Sequence, residues 1–91
     1  MENELKKFRS YIDDVINSTT KADSKSDINK MKMYSMNLIS RADSYTAGKI
    51  RQVVNYAILA AGQSKDKELH LSNLERAWYL VESELFAKYD S

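Results

Sequence analysis

Ile50-Arg51-Gln52-Val53-Val54-Asn55-Tyr56-Ala57-Ile58-Leu59-Ala60-Ala61-Gly62 is the stretch on which the fold turns. Ile50, Val53, Val54, Ala57, Ile58 and Ala61 fall at i, i+3, i+4, i+7, i+8 and i+11, one continuous face of a 3.6-residue helix. Such a helix begins after Ser44 or Thr46, and Gly62 is placed to end it as the residue just beyond the C-cap. The rest of the chain is equally poor in breakers. It has no proline, no cysteine, two glycines and one histidine in 91 residues.

Upstream, Leu5, Phe8, Ile12 and Val15 keep a 3–4 spacing that predicts a helix over about 2–18. Glu2 and Glu4 meet its positive end. The polar run Ser18 to Ser26 reads as a loop, because its side chains compete for backbone hydrogen bonds. A second helix is expected from an N-cap at Ser26 or Asp27 to about Ala42, with Ile28, Met31, Leu38, Ile39 and Ala42 inward. Downstream, residues 63–68 read as a charged loop. Ser72-Asn73-Leu74-Glu75 reads as a capping box opening a fourth helix. Leu74, Trp78, Val81 and Leu85 then carry the apolar spacing onward. No segment alternates with period two and no hairpin dipeptide occurs, so strands are not expected. The expectation is one all-α domain over 1–91, a compact four-helix bundle. Its core should include Phe8, Ile12, Ile50, Val54, Ala57, Leu74, Trp78 and Val81.

Composition narrows the function. An apolar fraction of 43% can build a core, and a charged fraction of 30% suits a soluble protein. The longest apolar run, Ala57 to Ala61, is far short of a membrane span, and no apolar signal region follows the N-terminus. A cytoplasmic location is expected, with no membrane partner. Without cysteine there is no disulfide scaffold.

His70, the sole histidine, lies between two leucines and reads as a partly exposed loop residue, without the companions a zinc site or triad needs. Asp13-Asp14 and Glu82-x-Glu84 are spaced so that they do not face one another on a helix. Ala47-Gly48-Lys49-Ile50 sets a Gly-Lys pair at a helix start but lacks the surrounding P-loop pattern. No catalytic, metal-binding or cofactor-binding residue is expected, and the chain does not read as an enzyme.

Binding is the remaining class. Met31, Met33 and Met36 cluster on one helix, and methionines serve both as core filler and as adaptable contact surface. Met33, Tyr34 and Met36 extend the second helix's apolar arc beyond what one neighbour needs. Met33, Met36, Tyr79 and Phe86 are therefore expected to bind a protein partner, a second copy of the chain included. The alternative is nucleic acid. Residues 21–52 carry seven basic and three acidic groups, whereas the flanking segments are net acidic. Lys30, Lys32, Arg41, Lys49 and Arg51, interleaved with Tyr34 and Tyr45, would combine phosphate contacts with stacking.

The run Ser44-Tyr45-Thr46-Ala47-Gly48-Lys49-Ile50-Arg51-Gln52-Val53-Val54, then Ala57 to Ala61, then His70 to Ala77, resembles the helical lid subdomain of AAA+ ATPases over about residues 38–80. The resemblance implies a Gly-x-Ile-Arg step opening a helix of small packing residues, followed by a capped helix. It sets Arg51 at the family's sensor-arginine position. No Walker A or Walker B motif is present, so what it implies here is a lid-like module acting on a larger assembly, as adaptor or modulator.

Overall fold

The structure, a computed structural model, describes residues 2–18, 21–61 and 65–89, with side chains for residues 3–18, 22–61 and 65–84. The chain is an all-α four-helix bundle: α1 (Glu2–Ile16), α2 (Lys21–Ile39), α3 (Ser44–Leu59) and α4 (Lys67–Tyr89), with no strand among the described residues. The body measures 40 × 23 × 20 Å. A 23-residue helix is about 34 Å long, so α4 runs along the long axis.

Contacts fix the direction of each helix. Glu4 at the start of α1 pairs with Arg41 just past the end of α2, and Tyr11 lies against Tyr34. The Tyr11 and Tyr34 rings are tilted to each other with centroids 5.4 Å apart, so α1 and α2 are antiparallel. Arg9 reaches Glu75, and the Lys67 ammonium donates to the Ile16 carbonyl at 2.9 Å. α4 is thus also antiparallel to α1, and α2 and α4 point the same way. α3 packs on all three other helices, while α2 and α4 make at most a marginal approach.

The core is the one the apolar spacing predicts. Phe8, Ile12, Ile50, Ala57, Leu74 and Val81 are fully buried, with Val54 and Trp78 just beneath the surface. Burying one large side chain contributes roughly 1.5–3 kcal/mol. Phe8 is the hub, its ring centroid 6.2 Å from Tyr34 of α2 and 5.8 Å from Trp78 of α4.

Three helix starts differ from the sequence reading, and α2 ends at Ile39 rather than near Ala42. α2 starts at Lys21, not at Ser26 or Asp27. Its extra residues expose Ala22, Asp23, Lys25 and Ser26, so no apolar periodicity announces them. Good helix formers such as Lys and Ala extend it, and Asp23 meets the positive end of the dipole. α3 is capped by Asp43, whose carboxylate accepts from the Thr46 N–H at 2.8 Å. Ser44 and Thr46 lie inside the helix. α4 starts at Lys67, so Ser72 and Glu75 are interior residues and His70 is helical rather than in a loop. Asp66 takes a left-handed backbone, φ 60°, and its carbonyl accepts the His70 N–H at 3.1 Å. That turn and the Lys67 bond to α1 start the helix earlier than the local capping signal.

Helix ends are satisfied locally. Ser18, buried, donates its hydroxyl to Val15 O at 2.8 Å. Arg41 and Ala42 N–H groups bond the carbonyls of Leu38 and Ile39, tightening the last turn of α2. α3 ends at Leu59 with Ala60 as C-cap, and Gly62, the expected terminator, lies outside the described residues.

Candidate functional site

The expected contact residues divide between two faces. On α2, Met31 is fully buried, whereas Met33 is 73% exposed and Met36 67% exposed. The methionine cluster is thus split: one residue fills the core and the two others, i,i+3 neighbours, stand on the outer surface. On α4, Tyr79 is 68% exposed. The Phe86 side chain lies outside the described residues. Met33 lines an open hollow between α1 and α2 with Tyr11, Lys30, Tyr34 and Asn37. Tyr79 lines a different one with Ser72, Glu75, Arg76 and Leu80. The two faces belong to helices that do not pack on each other.

Beyond Asp23 in its first turn, the outward side of α2 is basic and apolar. Exposed residues between 25 and 40 include Lys25, Lys30, Lys32, Met33 and Met36, and none is acidic. Asp27 is half-buried. The outward side of α4 is opposite in character, with Glu68, Glu75 and Tyr79 exposed, though Arg76 is exposed there as well.

The five basic residues of the nucleic-acid reading do not gather. Residues i and i+2 point about 200° apart around a helix, so Lys30 and Lys32 leave α2 on different sides, as do Lys49 and Arg51 on α3. Lys49 sits 5.5 Å from the Tyr45 ring centroid and bonds Gln52 at 3.5 Å. Arg41 is engaged by Glu4 through two bonds, of 3.2 and 2.5 Å. That hydrogen bond holds the Glu4 carboxyl below its ordinary value, against the opposing effect of burial.

A second cluster bridges α1 and α4 at the surface. Arg9 bonds Asp13 at 3.1 Å and Glu75, and lies 5.5 Å over the Trp78 ring. Burial works against the Arg9 charge, but Glu75 and Asp13 outweigh it and raise its pKa. The Tyr34 hydroxyl is also held above its ordinary value, chiefly by burial. Arg9 and Arg41 are thus each paired with a carboxylate of another helix. Among the described residues no group of three or more His, Asp or Glu side chains could hold a metal ion, and no helix is long and apolar enough to cross a membrane.

Sequence reasoning missed Leu69, 59% exposed in the first turn of an early-starting α4, and Leu59 on the outer side of α3. Leu59 lies off the Ile50–Ala61 stripe and was readable from it. Leu69 was not, because its segment read as a loop. No family model, curated protein or solved structure matches the chain.

Proposed function

We propose that this chain is a non-catalytic helical module that binds a protein partner, as an adaptor or modulator of a larger assembly in the cytoplasm. The observation that carries the reading is the pair Met33 and Met36, about two-thirds or more exposed on a face of α2 that the chain's own packing does not use. Side chains of this kind adapt to varied partner surfaces. Tyr79 adds an exposed aromatic of the sort enriched at interface anchors. The lid-like pattern of residues 38–80 is compatible with the same role. The dispersed lysines and arginines give the nucleic-acid reading less support.

The test is affinity capture from the native host with the wild type, a Met33→Ser/Met36→Ser variant and a Tyr79→Ser variant, all checked for equal helicity. A protein held by the wild type and lost from either variant is the expected result. Capture that ignores all three substitutions would remove these faces as the binding surface. Tight oligonucleotide binding at about 50 mM salt, where phosphate contacts are strongest, lost in Lys49→Glu/Arg51→Glu, would replace the reading with the nucleic-acid one.

A further inference from the structure

We infer that one partner of this module is a second copy of itself, docked head to tail, with α2 of one copy against α4 of the next. The inference rests on the protein-partner reading and names the partner. Four exposed residues on α2, Lys25, Asn29, Lys32 and Met36, stand at i, i+4, i+7 and i+11. Four exposed residues on α4, Glu68, Ser72, Glu75 and Tyr79, stand at the same spacing. Alternating steps of four and three define the seam along which two helices pack side by side at a shallow angle. Laid parallel in register, the stripes set Lys25 against Glu68, Asn29 against Ser72, Lys32 against Glu75 and Met36 against Tyr79. Every position is complementary: opposite charges at two, hydrogen-bonding groups at one, and a methionine against an aromatic ring at the last.

The bundle supplies the orientation that this register needs. α2 and α4 of one copy point the same way, because each runs antiparallel to α1. They are set apart, with α3 packed on both. A copy displaced sideways without rotation therefore brings its α4 alongside the first copy's α2 in the parallel sense. Such a contact is heterologous and repeats, so it extends past the dimer. Symmetric pairings are opposed by charge. α2 on α2 would place four lysines in one seam, and α4 on α4 would place four glutamates in one. Glu75 keeps capacity for the contact, since its carboxylate is 55% exposed and gives one oxygen to Arg9.

The seam is short. Eleven residues rise about 16 Å, which puts the buried area below that of a stable standard-size complex, roughly 1,200 Å² or more. Association is therefore weak for the isolated chain, with a midpoint on the order of 100 µM.

Sedimentation of the full chain at about 0.05 to 1 mM, bracketing that midpoint, tests the inference. The wild-type mass should climb beyond the dimer and fall back in high salt. Lys25→Glu/Lys32→Glu and Glu68→Lys/Glu75→Lys should each stay monomeric, and an equimolar mixture should assemble again, because each altered face then meets its complement. Glu75 also holds Arg9, so the single pair Lys25→Glu with Glu68→Lys provides a mixture that leaves that bond intact. A wild type that remains monomeric, one that stops at the dimer, or a Lys25→Glu/Lys32→Glu protein that assembles unchanged overturns the inference. A monomeric wild type that still captures another protein through Met33 and Met36 removes only the second copy as partner. One that captures nothing removes the proposed function as well.

Discussion

Replacing Thr46 by valine should stabilise this protein. Thr46 is 1% exposed, and its hydroxyl oxygen meets no hydrogen-bond partner. Its backbone N–H is satisfied by Asp43, so only the side chain is orphaned. A buried hydroxyl without a bond costs about 1–3 kcal/mol on mutational scales. Valine puts a methyl group in the same place, shares the branched shape and has nearly the same helix propensity. The expected gain is about 1 kcal/mol, the low end, because the orphan can relax slightly. Unfolding entropy of about 2.1 cal/mol/K per residue gives a chain of this length about 0.19 kcal/mol/K, so Tm should rise by about 5 °C. Calorimetry measures this directly, and urea unfolding should move its midpoint with an unchanged slope. Thr46→Ser is the control: it keeps the hydroxyl, deletes the buried methyl, and should cost about 1 kcal/mol. A Thr46→Val protein destabilised by about 1 kcal/mol or more would mean that the hydroxyl has a partner, and the reasoning fails.

Val54→Asp buries a charge beside fully buried Ile50 and Ala57 and should cost several kcal/mol, most of the margin of a small domain; a melting curve matching the parent removes residue 54 from the core. Gly48 lies within α3, and a Cβ added there meets nothing within 4 Å. Gly48→Ala should therefore add about 0.5–1 kcal/mol in thermal unfolding, and a loss would show that something approaches that backbone closely. Glu4→Gln should lower stability by less than about 1 kcal/mol at neutral pH, as for any exposed pair. Glu4 is held below its ordinary value of 4.5 in the folded state, so its contribution is present above that value and is lost as pH falls through the lowered pKa. The Tm difference between wild type and Glu4→Gln should then close on acidification, and a difference constant down to strongly acid pH would contradict the Arg41 pairing.

Helices whose apolar stripe runs their full length were legible in the sequence. α3 is the clearest, with Ile50, Val53, Val54 and Ala57 all buried as their spacing requires. The first turns of α2 and α4 were not legible, because residues 22–26 and 67–70 contribute little to the core and show no period. Ser72-x-x-Glu75 misled for a related reason. A capping box is a local pattern, and the actual start of α4 depends on Asp66 and on a bond from Lys67 to the distant Ile16. The surplus apolar arc of α2 did foretell exposed Met33 and Met36, while Met31 shows that clustering alone does not separate surface from core. The pairing of Arg41 with Glu4, 37 residues away, had no signature in the chain at all.

The bond from Lys67 to Ile16 has a bearing on the order in which the bundle assembles. It spans 51 residues, and the Arg9–Glu75 bond spans 66. The end of α1 is thus closed by a residue that arrives only when α4 is in place. Contacts between α3 and α4, neighbours in the chain and the most extensive helix pair, require far less loop closure. The α3–α4 hairpin should accordingly form the folding nucleus, with the contacts between α1 and α4 made last. Substitutions at Ala57 or Leu74 would slow refolding, whereas loss of the Lys67 ammonium would chiefly hasten unfolding.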